Sequence, residues 1–214
     1  MHAGTNPSQK IVLDLMRHGE PEGGVMYRGS KDDPLSEDGW KQMRHTLECA
    51  RELGYRWDKV IASPMQRCRV FAASVADELK LEISVIEDLK ELNFGDLEGM
   101  RPKDAWQKYP ELLTNMWNNP EKYTAPNGES FPDFAARVKV ALDSIISEHQ
   151  DGNLLLVVHG GVVRASLYNL INIGAASTFK FDIPYASLTR FKVYPNADGS
   201  YETALSFVNG IPSR

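Results

Sequence analysis

Two arginines and two histidines in this 214-residue sequence stand where short apolar runs give way to glycine or proline turns. Arg17-His18-Gly19-Glu20 follows the run 11–16, Ser63-Pro64-Met65-Gln66-Arg67 follows 59–62, and His159-Gly160-Gly161 follows 154–158. A neutral imidazole is a nucleophile near neutral pH, and a guanidinium is a permanently charged hydrogen-bond donor to anions. Together they can hold an oxyanion the size of a phosphate and attack it. Helices opening near Gly160 and Pro64 would add backbone N–H groups and positive dipole ends, although proline itself donates nothing. Each residue alone would read as structural, and their coincidence at three strand ends is what carries the reading. Taken from residue types alone, it stops at an anion site with histidine chemistry.

Residues so far apart in sequence meet only if their strands lie side by side and end on one edge. In an open α/β sheet, ligands bind beyond the carboxyl ends of the strands. The runs 11–16, 59–62, 81–86 and 154–158 have the length and continuous apolar character of strands covered on both faces. Alternation with amphipathic stretches predicts a three-layer α/β/α fold with a mainly parallel central sheet. Residues 188–194 and 201–208 flank Pro195-Asn196-Ala197-Asp198-Gly199, which predicts a closing antiparallel hairpin.

Three helix starts are marked. Ser63, Pro64 and Gln66 read as an N-cap, an N1 proline and a capping box, with Cys68, Phe71, Ala72, Val75 and Leu79 as the buried stripe. Ser130 and Asp133 open a second helix that turns Phe134, Val138, Leu142 and Ile145 inward, and a third runs from Ser36 to about Leu53. Residues 101–130 break the rhythm with Pro102, Pro110, Pro120 and Pro126. They read as a helical, lid-like insertion in a single domain spanning 1–214. Its Trp106, Tyr109, Trp117 and Tyr123 either face a ligand or pack the insertion onto the body.

A formal net charge of -5 and the lack of a long basic run argue against nucleic acid as a partner. No stretch reaches the roughly 18 apolar residues of a membrane span. The opening MHAGTNPSQK carries no apolar core of a leader, so a cytoplasmic protein is the expectation. Cys49 and Cys68 form no CxxC pair, which excludes a cysteine zinc site, and Cys68 reads as a core residue despite its neighbour Arg67. His2, His18, His45, His149 and His159 show neither HxxxH nor HExxH spacing, so neither metal nor cofactor is expected.

The run 15–20, the Ser63–Arg67 turn, Glu91-Leu92-Asn93-Phe94-Gly95-Asp96-Leu97-Glu98-Gly99 and Val158-His159-Gly160-Gly161 together resemble the histidine phosphatase, or phosphoglycerate-mutase-like, superfamily. Order and spacing match from residue 11 to about residue 172. The resemblance implies a phosphoglycerate mutase-like fold. His18 would be the nucleophile, its other ring nitrogen held by the Gly19 carbonyl. Arg17, Arg67 and a protonated His159 would face the phosphoryl oxygens, with Gly160 beside them. Glu91 would be the general acid and then the base, while Glu98 braces the loop. These requirements predict a bell-shaped or acid-to-neutral pH profile.

The family often carries Asn where this chain has Gly24 and Thr or Ser where it has Pro21, which weakens a mutase or sugar-bisphosphatase assignment. Tyr27-Arg28-Gly29, Asp32-Asp33-Pro34-Leu35-Ser36 and the 126–130 segment are instead similar to the α-ribazole-5'-phosphate phosphatase branch. That branch acts in assembling the nucleotide loop of cobalamin. Arg28 is then either an extra phosphate or ribose contact or a solvated loop residue. The short insertion favours hydrolysis over phosphoryl return, since a mutase must shield its intermediate from water. Phosphoglycerate mutase-type transfer, a broad sugar phosphatase and a non-catalytic phosphoester-binding domain are the competing readings. The expected partner is a small phosphorylated metabolite, and a homodimer is left open.

Overall fold

The computed structural model describes residues 10–149 and 151–210. The opening residues 1–9, His2 among them, lie outside the described residues. In chain order the elements are β1 (Ile11–Arg17), α1 (Glu37–Glu52), β2 (Lys59–Ala62), α2 (Gln66–Leu79), β3 (Glu82–Val85), α3 (Pro102–Lys108), α4 (Pro110–Asn118), α5 (Phe131–Ser147), β4 (Gly152–Val158), α6 (Gly160–Ile171), α7 (Ala175–Thr178), β5 (Leu188–Pro195) and β6 (Tyr201–Gly210). The strands form one mixed sheet in the order β3-β2-β4-β1-β5-β6. Its first four strands are parallel, while β5 and β6 run antiparallel to their neighbours.

Two apolar layers follow from the alternation of side chains along the strands. Ile11, Leu13 and Leu15 of β1 pack with α5 and α6 through Phe134, Val138, Leu142, Val162 and Leu167. On the other face, Met16, Val60, Ala62 and Leu155 pack with α1 and α2 through Met43, Leu47, Phe71 and Val75. The three-layer α/β/α architecture read from the sequence is the one observed.

Asp14 interrupts the apolar run of β1 and is fully buried. Its carboxylate accepts from Trp57 Nε1 at 2.8 Å and from Arg190 Nε and a terminal nitrogen, both at 2.7 Å. A buried charge persists only when so paired. Here it ties β1 to β5 and to the segment entering β2.

Two expectations need correction. β3 is an exposed edge strand, with Val85 47% accessible, and is not covered on both faces. It lies at the end of the sheet order, where only one neighbour flanks it. Helix α2 begins at Gln66, with Met65 at its N-cap and no capping side chain from Ser63. The Ser63 hydroxyl is engaged 2.7 Å from His159 Nε2, and the Gln66 N–H instead donates to Asp32 Oδ1 at 2.6 Å. A carboxylate of the chain therefore already holds that helix start, which withdraws the second dipole from the anion site. The Ser130 start is as read, its side chain accepting from Asp133 N, and the helix read from Ser36 is capped by that residue, which accepts from Gly39 N.

Candidate active site

Register brings the catalytic candidates together. Arg17 stands opposite Val158 across β1 and β4, and Ala62 opposite Val157 across β2 and β4. His18 and His159 thus leave adjacent strands at one level and Ser63 leaves the next strand one residue back, with neighbouring strands about 4.8 Å apart. His18 N donates to Val158 O at 2.9 Å and Ser63 N to Val157 O at 3.1 Å, extending the ladder past the strand ends. The two imidazoles meet edge to face, with centroids 5.2 Å apart.

The loop after His18 folds tightly onto the start of α1. A side chain at Gly19 would collide with the backbone of Gly39, and one at Gly39 with that of Glu20. Two glycines are what let the chains approach. His18 Nδ1 lies 2.7 Å from Gly19 O. A carbonyl only accepts, so Nδ1 carries the proton and Nε2 keeps its lone pair.

Both arginines are held by backbone carbonyls. Arg17 donates to Ile183 O at 2.6 Å, and Arg67 to Lys31 O at 2.7 Å and Gly29 O at 3.1 Å. Arg67 is completely buried. Arg17 Nε and Arg67 Nε are nonetheless buried without a hydrogen-bond partner among the described residues. Leaving a charged buried donor unpaired is costly, and the two guanidinia that do so both bear on His18.

Glu91 reaches the same place from the segment after β3. Its carboxylate oxygens accept from Leu92 N at 2.9 Å and Gly161 N at 3.0 Å. Any side chain at Gly161 would overlap that carboxylate. Arg17, His18, Arg28, Glu91, Gly160 and Gly161 line one cavity of about 190 Å³. Glu98 is elsewhere, its carboxylate accepting from Gly29, Ser30 and Phe94 N–H groups as the loop brace expected.

Arg28 is not a solvated loop residue. It is buried, donates to Asp33 at 2.7 Å, to Glu22 O at 2.7 Å and to Gly24 O at 3.2 Å, and borders the cavity. Two residues absent from the sequence reading, and Ser63, read there as a helix cap, also join the site. Tyr185 lies under the Arg17 guanidinium at 4.2 Å and 5.8 Å from the His18 ring. Arg164 lines the cavity one helical turn after Gly160, on the same face, a spacing that could have been read. Ser63 supports His159. Tyr185 arrives because β5 is antiparallel, so its start lies on the edge where the parallel strands end.

A second, apolar chamber of about 400 Å³ adjoins the first and shares Phe94, Gly161 and Arg164 with it. Leu92, Trp117, Phe131, Phe134 and Phe179 complete its wall. Trp117 packs against Phe179 with ring centroids 5.0 Å apart, whereas Trp106 and Tyr123 of the insertion are each 42% exposed and stand apart from it.

Burial, reinforced by Arg67 and Arg17, holds the His18 pKa well below its ordinary value, and burial with Arg67 and His18 does the same to His159. Both shifts favour the neutral ring, whereas the protonated His159 that the resemblance implies is one facing phosphoryl oxygens. Burial pushes the Cys68 thiol up, in keeping with a core role. A histidine neutral when folded takes up its proton on unfolding, so this stability is complete above about pH 6.5 and falls as pH drops below it. Two such rings give a slope approaching about 2.7 kcal/mol per pH unit. Urea midpoints between pH 7.5 and 5.5 should fall accordingly, and less steeply in His18→Gln. Flat midpoints over that window would contradict the neutral pair.

Comparison with known proteins gives the same picture. Residues 13–200 match the family described as the histidine phosphatase superfamily (branch 1). The chain is 32% identical to a phosphoglycerate mutase of Schizosaccharomyces pombe over 173 residues, 78% of this chain and 82% of that one. It spans about half the length of the mycobacterial relatives it matches, also at 32% identity. The solved alpha-ribazole phosphatase from Shigella flexneri superposes with a TM-score of 0.74 at 27% identity, covering 93% of this chain and 96% of that one. A mycobacterial glucosyl-3-phosphoglycerate phosphatase shares the fold with a TM-score of 0.79 at 24% identity, covering 94% and 99%. No helix among the described residues is long and apolar enough to cross a membrane.

Proposed function

Because the chain belongs to the histidine phosphatase superfamily, branch 1, we propose that it hydrolyses a phosphomonoester through a phosphohistidine on His18. The observation that carries this reading is the pair of buried, unpartnered guanidinium N–H groups of Arg17 and Arg67 beside a neutral imidazole. Phosphoryl oxygens are the acceptors they lack. At about 4 Å and an effective dielectric near 20, each such charge is worth about 4 kcal/mol to a bound anion. The guanidinia, with the N–H of Gly160, thereby neutralise the phosphoryl group. The arriving dianion also favours a proton on His159, against the burial that removes it.

In the first step the His18 Nε2 lone pair forms the N–P bond as the ester P–O bond breaks. Glu91 gives its proton to the departing oxygen. In the second step the Glu91 carboxylate takes a proton from water as the water oxygen attacks phosphorus. The N–P electron pair then returns to Nε2, releasing inorganic phosphate.

We assign α-ribazole 5'-phosphate as the substrate, in cobalamin biosynthesis. The aromatic chamber next to the phosphate cavity supports it, with Trp117 supplied by the insertion, Arg164 shared by the two chambers and Arg28 on the wall of the phosphate cavity. Burying an aromatic group of about 150–250 Å² at about 25 cal/mol per Å² is worth about 4–6 kcal/mol before losses. A glycerate has nothing to gain there. If half that energy survives, kcat/KM for α-ribazole 5'-phosphate should exceed that for 3-phosphoglycerate by on the order of a hundredfold. A panel adding sugar phosphates and nucleotides ranks the class. Equal or better use of 3-phosphoglycerate would refute the assignment, as would mutase turnover with a bisphosphate primer outpacing phosphate release. Binding of the panel without any phosphate release would mark a non-catalytic domain.

A further inference from the structure

Glu91 sits on neither helix nor strand. Its segment leaves the edge strand β3, makes a single 3-10 turn at Glu87–Leu89 and continues irregularly to Phe94. A carboxylate that must meet a leaving-group oxygen within hydrogen-bonding distance is thus carried by backbone with little secondary structure of its own. Its carbonyls converge on one side chain of the helix packed against it, Arg137 of α5.

Arg137 donates from one terminal nitrogen to Asp88 O at 2.7 Å and Lys90 O at 2.8 Å, and from the other to Glu91 O at 3.0 Å. Its remaining two N–H groups, on Nε and the second terminal nitrogen, go to the Glu129 carboxylate at 2.7 and 2.8 Å. All five donors of the guanidinium are engaged. Glu129 also returns to the segment, accepting from Asn93 N at 3.3 Å while its own N–H donates to Asn93 O at 2.9 Å. The backbone is thereby fixed on both sides of Glu91. Only a planar fork can serve three carbonyls and a carboxylate at once; a lysine ammonium cannot.

We propose that Arg137, squared by Glu129, is a positioning residue for acid–base catalysis: through the backbone it sets where the Glu91 carboxylate meets the leaving-group oxygen. The proposal rests on the general-acid reading of Glu91. A merely structural role for Arg137, tying α5 to the sheet edge, would weaken every substrate alike. A positioning role falls on the substrates that need the proton. An alkyl phosphate releases a strongly basic alkoxide and needs it, whereas 2,4-dinitrophenyl phosphate releases a stable phenolate and does not.

The test is kcat/KM for Arg137→Lys on both esters, with thermal unfolding measured alongside. Lysine keeps the positive charge that bears on His159, so the change is one of geometry. The alkyl-to-aryl ratio is expected to fall roughly 30-fold, short of the hundredfold that a misplacement of about 1 Å can cost. Glu91→Gln sets the full size of the split, and Glu129→Gln should show a smaller one, serving as the test if Arg137→Lys does not fold. A split in Glu91→Gln with equal losses on both esters in the Arg137 or Glu129 variant overturns the positioning role. No split in Glu91→Gln sinks the acid reading itself, and the proposal with it.

Discussion

Replacing His18 by alanine is expected to abolish turnover, lowering kcat by on the order of 10⁴ to 10⁶. The size follows from what the residue supplies. Its Nδ1 proton is held by Gly19 O, its lone pair is free at Nε2, and burial with Arg67 and Arg17 keeps the ring neutral. His159, the other buried imidazole, has its Nε2 engaged by Ser63 and is not among the residues lining the cavity. The arginines remain in the variant, so vanadate or phosphate binding should survive. Retained binding with lost turnover separates the loss of a nucleophile from collapse of the site. Phosphate release near the native rate would refute the assignment outright.

Much of this site was legible because it depends on register. Strands of the right length ending before Arg17-His18, Ser63 and His159 had only to be parallel and adjacent, and the sheet order places β4 between β1 and β2. Local spacing was equally readable where one helix makes the contact, as in the inward stripe from Cys68 to Val75. What escaped are residues whose partners are set by tertiary structure alone. Tyr185 precedes an antiparallel strand, and nothing in its neighbourhood says on which edge it lands. Ser63 carries the signature of a cap, but a buried imidazole outcompetes the helix for its hydroxyl. Arg137 looks like a solvated charge on α5 until three of its five donors are traced to a segment more than forty residues away. Asp14 likewise reads as a flaw in an apolar strand, and only Arg190, 176 positions on, explains it.

The second half-reaction yields the other large effect. Once the ester oxygen has gone, His18 holds a phosphoryl group that only an activated water can remove. The Glu91 carboxylate is poised for it, one oxygen on Leu92 N and the other on Gly161 N, at the mouth of the cavity shared with His18. Glutamine at this position keeps one acceptor but cannot take a proton. Glu91→Gln should therefore hydrolyse the phosphohistidine about 10² to 10⁴ times more slowly. With an activated aryl ester, which loads His18 without needing an acid, one equivalent of phenolate should appear in a burst and the steady rate should then collapse. The protein should carry an acid-labile phosphoryl group, absent when His18→Ala is added. Glu98 provides the control, because its carboxylate is already tied to the backbone N–H groups of Gly29, Ser30, Lys31 and Phe94. Glu98→Gln should cost loop stability and leave no phosphoenzyme behind. A burst in Glu98→Gln and none in Glu91→Gln would transfer the acid–base role from one carboxylate to the other.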